Sequence, residues 1–377
     1  VPGDPSGDKA SSLLTEYTFQ TQLFTFGFVD PEANPGMARQ YNIKSYGAMV
    51  FESGTNRRSV FDVDEQVFSG AILEVTGVKQ KKIYFLTGHD ERDLALTTGD
   101  GYSQVREGLI KDLYQVGIWN LAVKPEVPED AAALVVAAPK KPFTEQEVKA
   151  LERYLAQGGR LFLMADPKHS PEVDSLLAQW GLVLGKGMII DEMSFVSPDT
   201  ASPVVLRGQY LPSPISEGVD YSYYPEATSV AKTEKPPKTV EMVPLAITSS
   251  RSWLKTGEGE RKFNADKDTP GPLALGYIAL GTLAQEGTQQ PARLVVIGDS
   301  DFASNQHFFN GGNSDIFLNS VGWLAEEAKL IGIRPKPIVF RRLVLGPAEE
   351  KFISYSSLGF LPLAVLLGGV IVWWRRR

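Results

Sequence analysis

The sequence predicts an α/β protein: a small α/β unit, then a doubly wound parallel sheet carrying an antiparallel β insertion, then a C-terminal transmembrane helix. Three observations predict it. The short apolar runs Ile83–Leu86, Leu134–Ala138, Leu161–Ala165 and Leu294–Ile297 are each followed by a loop and an amphipathic helical pattern, as in a parallel sheet buried on both faces. Upstream of them, residues 9–80 alternate helical and extended signals on a smaller scale. The last 26 residues, Phe352–Arg377, carry no charge before the closing Arg375, Arg376 and Arg377.

Within the first unit, Leu13, Leu14 and Tyr17 mark a helix, Leu23–Phe28 a strand, and Pro35 opens a short helix. Proline suits a first helical turn because its missing N–H has no partner there. Gly47–Phe51 and Arg58–Val63 read as extended segments and Glu65–Val75 as a helix. The order helix, strand, helix, strand, strand, helix is that of a thioredoxin-like fold lacking its first strand. Without cysteine, such a domain has no redox dithiol. Its boundary is placed at residues 1–80.

Residues 81–350 form the second predicted domain. Thr144 and Glu147 have the spacing of a capping box, with Val148, Leu151 and Leu155 facing inward and Gly158-Gly159 ending the helix. Ser170-Pro171 starts another helix, whose apolar stripe is Val173, Leu176, Leu177 and Trp180, closed by Gly181. Residues 195–290 break the rhythm with closely spaced prolines and β-type runs at Val204–Leu206, Val243–Thr248 and Leu273–Ala279. They are expected to be a β-rich insertion that rejoins the sheet at Leu294, with polar loops at Lys232–Lys238 and Lys255–Pro272.

The third predicted segment is residues 351–377. A helix needs about 20 apolar residues to cross a hydrocarbon core of roughly 30 Å, and Phe352–Trp374 meets that length. Trp373 and Trp374 lie where an interfacial aromatic belt belongs, and the terminal arginines favour the cytoplasmic side. The expectation is a cell-membrane protein with one C-terminal span and an extracytoplasmic body. The chain starts at Val1 in a loop-like run with no signal sequence, so a segment upstream is expected to be missing.

Composition narrows the chemistry. A net charge of −7 with no long Lys/Arg run argues against nucleic-acid binding. Zero cysteines remove disulfides, thiolate nucleophiles, iron–sulfur clusters and cysteine-ligated zinc together. No Gly-x-x-x-x-Gly-Lys-Ser/Thr is present, so any ATPase is a separate chain. No cofactor is called for.

Ligands of open α/β sheets sit beyond the carboxyl ends of the strands, so the residues just after each run are the candidates. Here they are polar: Thr87-Gly88-His89-Asp90-Glu91, Asp166, and Gly298-Asp299-Ser300-Asp301. His89, Glu91, Asp166, Asp299, Ser300, Asp301 and Asn305 form the candidate ligand or partner cleft. Asp166, Asp299 and Asp301 with His89 or His169 have the right atoms for a divalent cation, but Asp and Ser after strands also cap helices and satisfy loop amides. Gly298-Asp299-Ser300 has the look of a GDS-type serine hydrolase block. The Asp-x-x-His partner is absent downstream, where His307 is the only histidine, and Phe302 takes the last glycine position of a nucleophile elbow. No catalytic or metal-ligating residue is therefore assigned.

Leu86-Thr87-Gly88-His89 with Glu91, Gly158-Gly159-Arg160, and above all Val296–Asn305 resemble the GldG family, as do Asn313, Phe317-Leu318-Asn319, Trp323-Leu324-Ala325 and Ile333-Arg334-Pro335-Lys336. These are auxiliary membrane components of ABC-type systems named for gliding motility. The resemblance implies a soluble part similar to an intraflagellar-transport subunit and to type 1 glutamine amidotransferases. It implies no enzyme, since the amidotransferase nucleophile is a cysteine. The family's strand-end motif is usually Gly-His-Gly-Glu, where this chain has Asp90 in the third position.

The leading expectation is a non-catalytic, membrane-anchored, extracytoplasmic subunit. As scaffold or binding module it would present its domains to an ABC-type permease, a separate ATP-binding subunit, a cell-surface polymer or other membrane-complex subunits. One alternative is a cell-surface hydrolase or metal-dependent enzyme working at Asp299, Ser300 and Asp301. Another is a sugar or peptide receptor whose stacking surface is Tyr210, Tyr221, Tyr223 and Tyr224.

Overall fold

The computed structural model describes residues 5–43, 45–257, 259–283, 291–325 and 355–376. The chain divides into two compact units: Val1–Lys81 with Ile110–Gln115, and Lys82–Leu109 with Val116–Arg377.

The first unit contains α1 (Pro5–Gln20), α2 (Pro35–Gln40), the hairpin β1 (Met49–Ser53) and β2 (Asn56–Val60), and α3 (Glu65–Thr76). Leu14 of α1, Phe51 and Val60 of the hairpin, and Phe68, Ala71 and Val75 of α3 make one buried cluster. The Asp64 carboxylate accepts the Gln66 N–H at the start of α3, and Gly77, at φ 72°, ends it in the left-handed conformation. Leu23–Phe28 does not form the predicted strand, and the hairpin pairs only with itself. Phe24 is half-buried, its ring 5.6 Å from Tyr17, while Leu23, Phe26 and Phe28 are exposed, so the run stays a largely exposed loop with no strand to bond to.

The second unit begins with β3 (Lys82–Leu86), α4 (Ser103–Lys111), β4 (Gln115–Trp119), β5 (Ala131–Ala137), α5 (Glu145–Ala156), β6 (Arg160–Met164) and α6 (Pro171–Gln179). The β-rich stretch follows: β7 (Leu182–Leu184), β8 (Met188–Asp191), β9 (Phe195–Val196), β10 (Asp199–Leu206), β11 (Tyr221–Tyr223), β12 (Val230–Lys232), β13 (Val240–Ile247), β14 (Ser252–Lys255), β15 (Thr269–Pro270) and β16 (Ala274–Gly281). The unit closes with β17 (Ala292–Ile297), α7 (Asn313–Leu324) and α8 (Leu361–Arg375).

Seven strands form the main sheet in the order β13-β16-β17-β6-β5-β3-β4. The four apolar runs lie side by side in its middle, parallel to one another, with Leu134 beside Leu161 and Leu161 beside Leu294. Two strands of the β-rich stretch, β16 and β13, extend the sheet antiparallel beyond β17. Alternation along the strands sorts the two faces. Leu161, Leu163, Leu294 and Val296 pack with Leu151 and Leu155 of α5 and Leu177 of α6, while Phe162, between two of them, stacks 5.2 Å from Phe317 of α7. The capping box forms as its spacing predicts: the Thr144 hydroxyl accepts the Glu147 N–H and the Glu147 carboxylate accepts the Thr144 N–H.

The C-terminal segment corrects the predicted span. Among the described residues no helix is long and apolar enough to cross a membrane. α8 has 15 residues, about 22 Å at 1.5 Å per residue, against roughly 30 Å of hydrocarbon. Pro362 cannot donate to a helical ladder, and the turn before it, Ser356–Phe360, is π-helical. Phe352, Ile353, Ser354 and Arg377 lie outside the described residues, as does Ile333–Lys336. The expected single-span anchor does not hold, and neither does the extracytoplasmic placement that rests on it.

A candidate site at the carboxyl edge of the sheet

The loops that leave β3, β5, β6 and β17 share one edge, because these strands are parallel neighbours. Gly298, the first residue after β17, is held from both sides: its N–H donates to the Leu275 carbonyl at 2.8 Å and its carbonyl accepts the Thr228 N–H at 2.6 Å. Asp299, Ser300 and Asp301 follow, then a 3₁₀ turn at Asp301–Ala303. Asp166, from the loop after β6, accepts the Ser300 N–H through Oδ1 at 2.8 Å and so ties the two strand ends together.

Arg92 sits at the middle of this edge and is not among the residues that the sequence singles out. Its Nε donates to Ser300 Oγ at 2.9 Å, and Nη1 to the Asp100 carbonyl at 3.2 Å. Nη2 lies 2.8 Å from Asp301 Oδ1 and 3.5 Å from Asp166 Oδ2. Its backbone N–H bonds the Ala137 carbonyl at the end of β5. Burial alone would lower the guanidinium's pKa, but Tyr102 and the carboxylates of Asp301, Asp166 and Asp299 outweigh it and hold the charge in place.

Asp299 is 1% exposed. Its Oδ1 accepts the N–H groups of Asp301 at 2.6 Å and Phe302 at 3.4 Å, while Oδ2 is buried with no hydrogen-bond partner. Burial, followed by repulsion from Asp166 and Asp301, pushes its carboxyl well above the usual range. Asp301 is also raised, by burial and by Asp166, with Arg92 opposing. The Tyr102 hydroxyl, fully buried, donates to the Ser300 carbonyl at 2.6 Å. Asn305 works as a clamp: Nδ2 donates to the Leu96 and Thr98 carbonyls, and Oδ1 accepts the Gln104 N–H at the head of α4.

His89 and Glu91 belong to a second cluster. The His89 N–H donates to Glu91 Oε2 at 2.7 Å, and its ring nitrogens lie 3.2 Å from Glu91 Oε1 and 3.2 Å from Glu147 Oε2, with Phe143 stacked at 4.3 Å. Although burial acts to raise the Glu147 carboxyl, hydrogen bonds from Thr144 and the facing His89 hold it below the ordinary range. The cap that sequence spacing picks out therefore also fastens the β3 loop to α5. Asp90, where a glycine is the expected family residue, sits at φ 57° in the left-handed region that glycine enters freely and aspartate tolerates.

The predicted residues thus divide. Asp166, Asp299, Ser300 and Asp301 converge around Arg92, with Asn305 bracing the adjoining loop, while His89 and Glu91 pair with Glu147. His169 bonds Asp174 at 3.0 Å and the Asp166 carbonyl at 3.1 Å, and joins neither group of side chains. His307, its pKa lowered by burial and by Arg92, packs edge-on to Tyr223 at 5.0 Å. Of the insertion's four tyrosines, Tyr224 is 1% exposed against Phe302, and Tyr210 bonds Ser222. The other two, half-buried Tyr221 and Tyr223, keep ring surface open.

No curated protein matches this chain. Among solved structures it is similar to the N-terminal domain of mmIFT52, at 16% identity over 64% of this chain and 97% of that one, with a TM-score of 0.48. A ThuA-like protein from Bacteroides uniformis matches at 15% identity over 65% and 91%, with a TM-score of 0.39. The family model ABC_transp_aux matches residues 80–320, which run from β3 to the middle of α7. That is more than half of the chain, and by it this protein belongs to the ABC_transp_aux family, the ABC-type uncharacterized transport system, as an auxiliary component of such a system.

Proposed function

We propose that the protein is a non-catalytic subunit of its ABC-type system and that it recognises a partner subunit or the transported substance through the carboxyl edge of its sheet. The finer likeness to GldG, read from Val296–Asn305 and the loop after β3, makes a permease and a separate ATP-binding chain the expected associates. The reading rests on the bond from Arg92 Nε to Ser300 Oγ. Activating a hydroxyl needs a base within hydrogen-bond reach, whereas a guanidinium keeps its protons and offers only donors. Each ring nitrogen of His89 faces a glutamate, and those of His169 face Asp174 and a carbonyl, so neither imidazole serves Ser300.

Ser300→Ala tests this. Complementation of a deletion strain by Ser300→Ala is expected to match the wild type once expression and thermal stability are checked. A folded Ser300→Ala protein that abolishes the system's function while still assembling with it, together with turnover of a substrate by the purified wild type, would contradict the non-catalytic reading.

A further inference from the structure

We propose that Asp166, Asp299 and Asp301 together bind a divalent cation at the carboxyl edge of the sheet. One oxygen from each of these carboxylates lies within 4.8 Å of the others, close enough for one ion to touch all three. The charge is not balanced by protein alone, since three carboxylates face the guanidinium of Arg92. Arg92 engages Asp301 well, at 2.8 Å, and Asp166 only at 3.5 Å.

The independent observation is Asp299. Its side chain is buried, its Oδ1 is used by two backbone N–H groups, and its Oδ2 has no donor among the described residues. A carboxylate oxygen buried in that state is strongly disfavoured unless a proton or a cation meets it. Asp166 and Asp301 gather further negative charge beside it. A cation relieves that repulsion without moving the backbone.

The donor set fixes the class of ion. Three carboxylates, with neither sulfur nor imidazole in the cluster, suit a hard cation such as Ca²⁺, Mg²⁺ or Mn²⁺ and not a soft one. Asp301 is 34% exposed and Asp166 24%, so the ion would enter from that side and keep coordination positions open there. The site stands whether or not the cleft also recognises a partner.

The test is calorimetric titration of the full chain, stripped with a chelator, with CaCl₂, MgCl₂ and MnCl₂ in turn, alongside Asp299→Asn, Asp301→Asn and an unrelated control, Asp220→Asn. Wild type and Asp220→Asn are expected to bind one ion with a Kd below about 1 mM. They should also unfold at a higher temperature in its presence. Asp299→Asn and Asp301→Asn are expected to lose at least about tenfold in affinity. Should Asp299→Asn fail to fold, the partly exposed Asp301→Asn carries the comparison. Absence of saturable binding for all three ions would overturn the proposal. Binding undiminished in Asp301→Asn would overturn it too, by placing the ion elsewhere.

Discussion

Arg92→Ala is expected to lower the free energy of unfolding by about 3–5 kcal/mol, the range for removing one partner of a buried ion pair. The side chain is 10% exposed and, among the described residues, is the cation that pairs with both Asp166 and Asp301, so its loss leaves carboxylates facing one another. It also removes the guanidinium's bond to the buried Ser300 hydroxyl. Arg92→Lys should recover part of the loss, because an ammonium restores the charge without the fork that reaches Ser300, Asp100 and Asp301 at once. Adding Asp301→Asn to Arg92→Ala should recover part as well, since it removes one of the unanswered charges. Urea unfolding followed by circular dichroism gives all four values. A loss under about 1 kcal/mol for Arg92→Ala would mean that the guanidinium is a surface ornament of the edge and does not organise it.

Gly298→Ala is expected to be as damaging for a purely steric reason. A Cβ at this position would lie 2.1 Å from the Thr228 carbonyl oxygen and 2.8 Å from its carbon. Neither side can withdraw cheaply, because the same two residues are joined by the Thr228 N–H to Gly298 carbonyl bond, and the Gly298 N–H is held by Leu275. A loss of about 3 kcal/mol or more, or recovery only as aggregate, is the expected outcome. Gly208→Ala is the matched control: a Cβ there meets nothing within 4 Å, and its effect should stay within about 1 kcal/mol of zero. Equal stability of the two variants would show that β17 and the Thr228 segment do not lie as close as described. Because Asp299, Ser300 and Asp301 follow directly, any Gly298→Ala protein that does fold should also bind cations poorly.

What the sequence reveals and what it hides follow from the range of the interactions involved. The apolar runs of β3, β5, β6 and β17 are legible because a strand buried on both faces must be apolar at successive positions, whatever its neighbours are. The Thr144–Glu147 box is legible because both partners lie within one helical turn. Parallel neighbours also place their loops on one edge, which brings Asp166, Asp299, Ser300 and Asp301 into view from the sequence alone.

Arg92 escapes such a reading although it lies next to Glu91. Its role rests on Ser300 and Asp301, more than 200 residues away, and an arginine in a loop otherwise reads as a solvated charge. The same holds for Glu147, whose bond to His89 spans 58 positions. Leu23–Phe28 misleads through strand-type composition in a segment with no strand to pair with. The C-terminal run misleads through hydropathy, which counts apolar residues and is blind to where Pro362 interrupts the hydrogen-bond ladder. That β13 and β16 complete the main sheet is equally hidden, since an antiparallel strand carries no mark of which sheet it joins.

If this chain serves an ABC-type system by recognition at the carboxyl edge, and makes or breaks no bonds, its associates should depend on the charge of that edge. Affinity purification of the tagged protein from its native cells, with quantitative mass spectrometry of what accompanies it, measures this for wild type and for Glu226→Lys. Glu226 is exposed and near enough to Asp301 to act on its charge, so reversing it alters the charge of that edge without removing a bonding partner of Arg92. A permease and an ATP-binding subunit are expected at comparable abundance with the wild type, and both should be depleted with Glu226→Lys. Recovery of neither subunit with the wild type, under gentle extraction and with the protein folded, would contradict recognition of this kind.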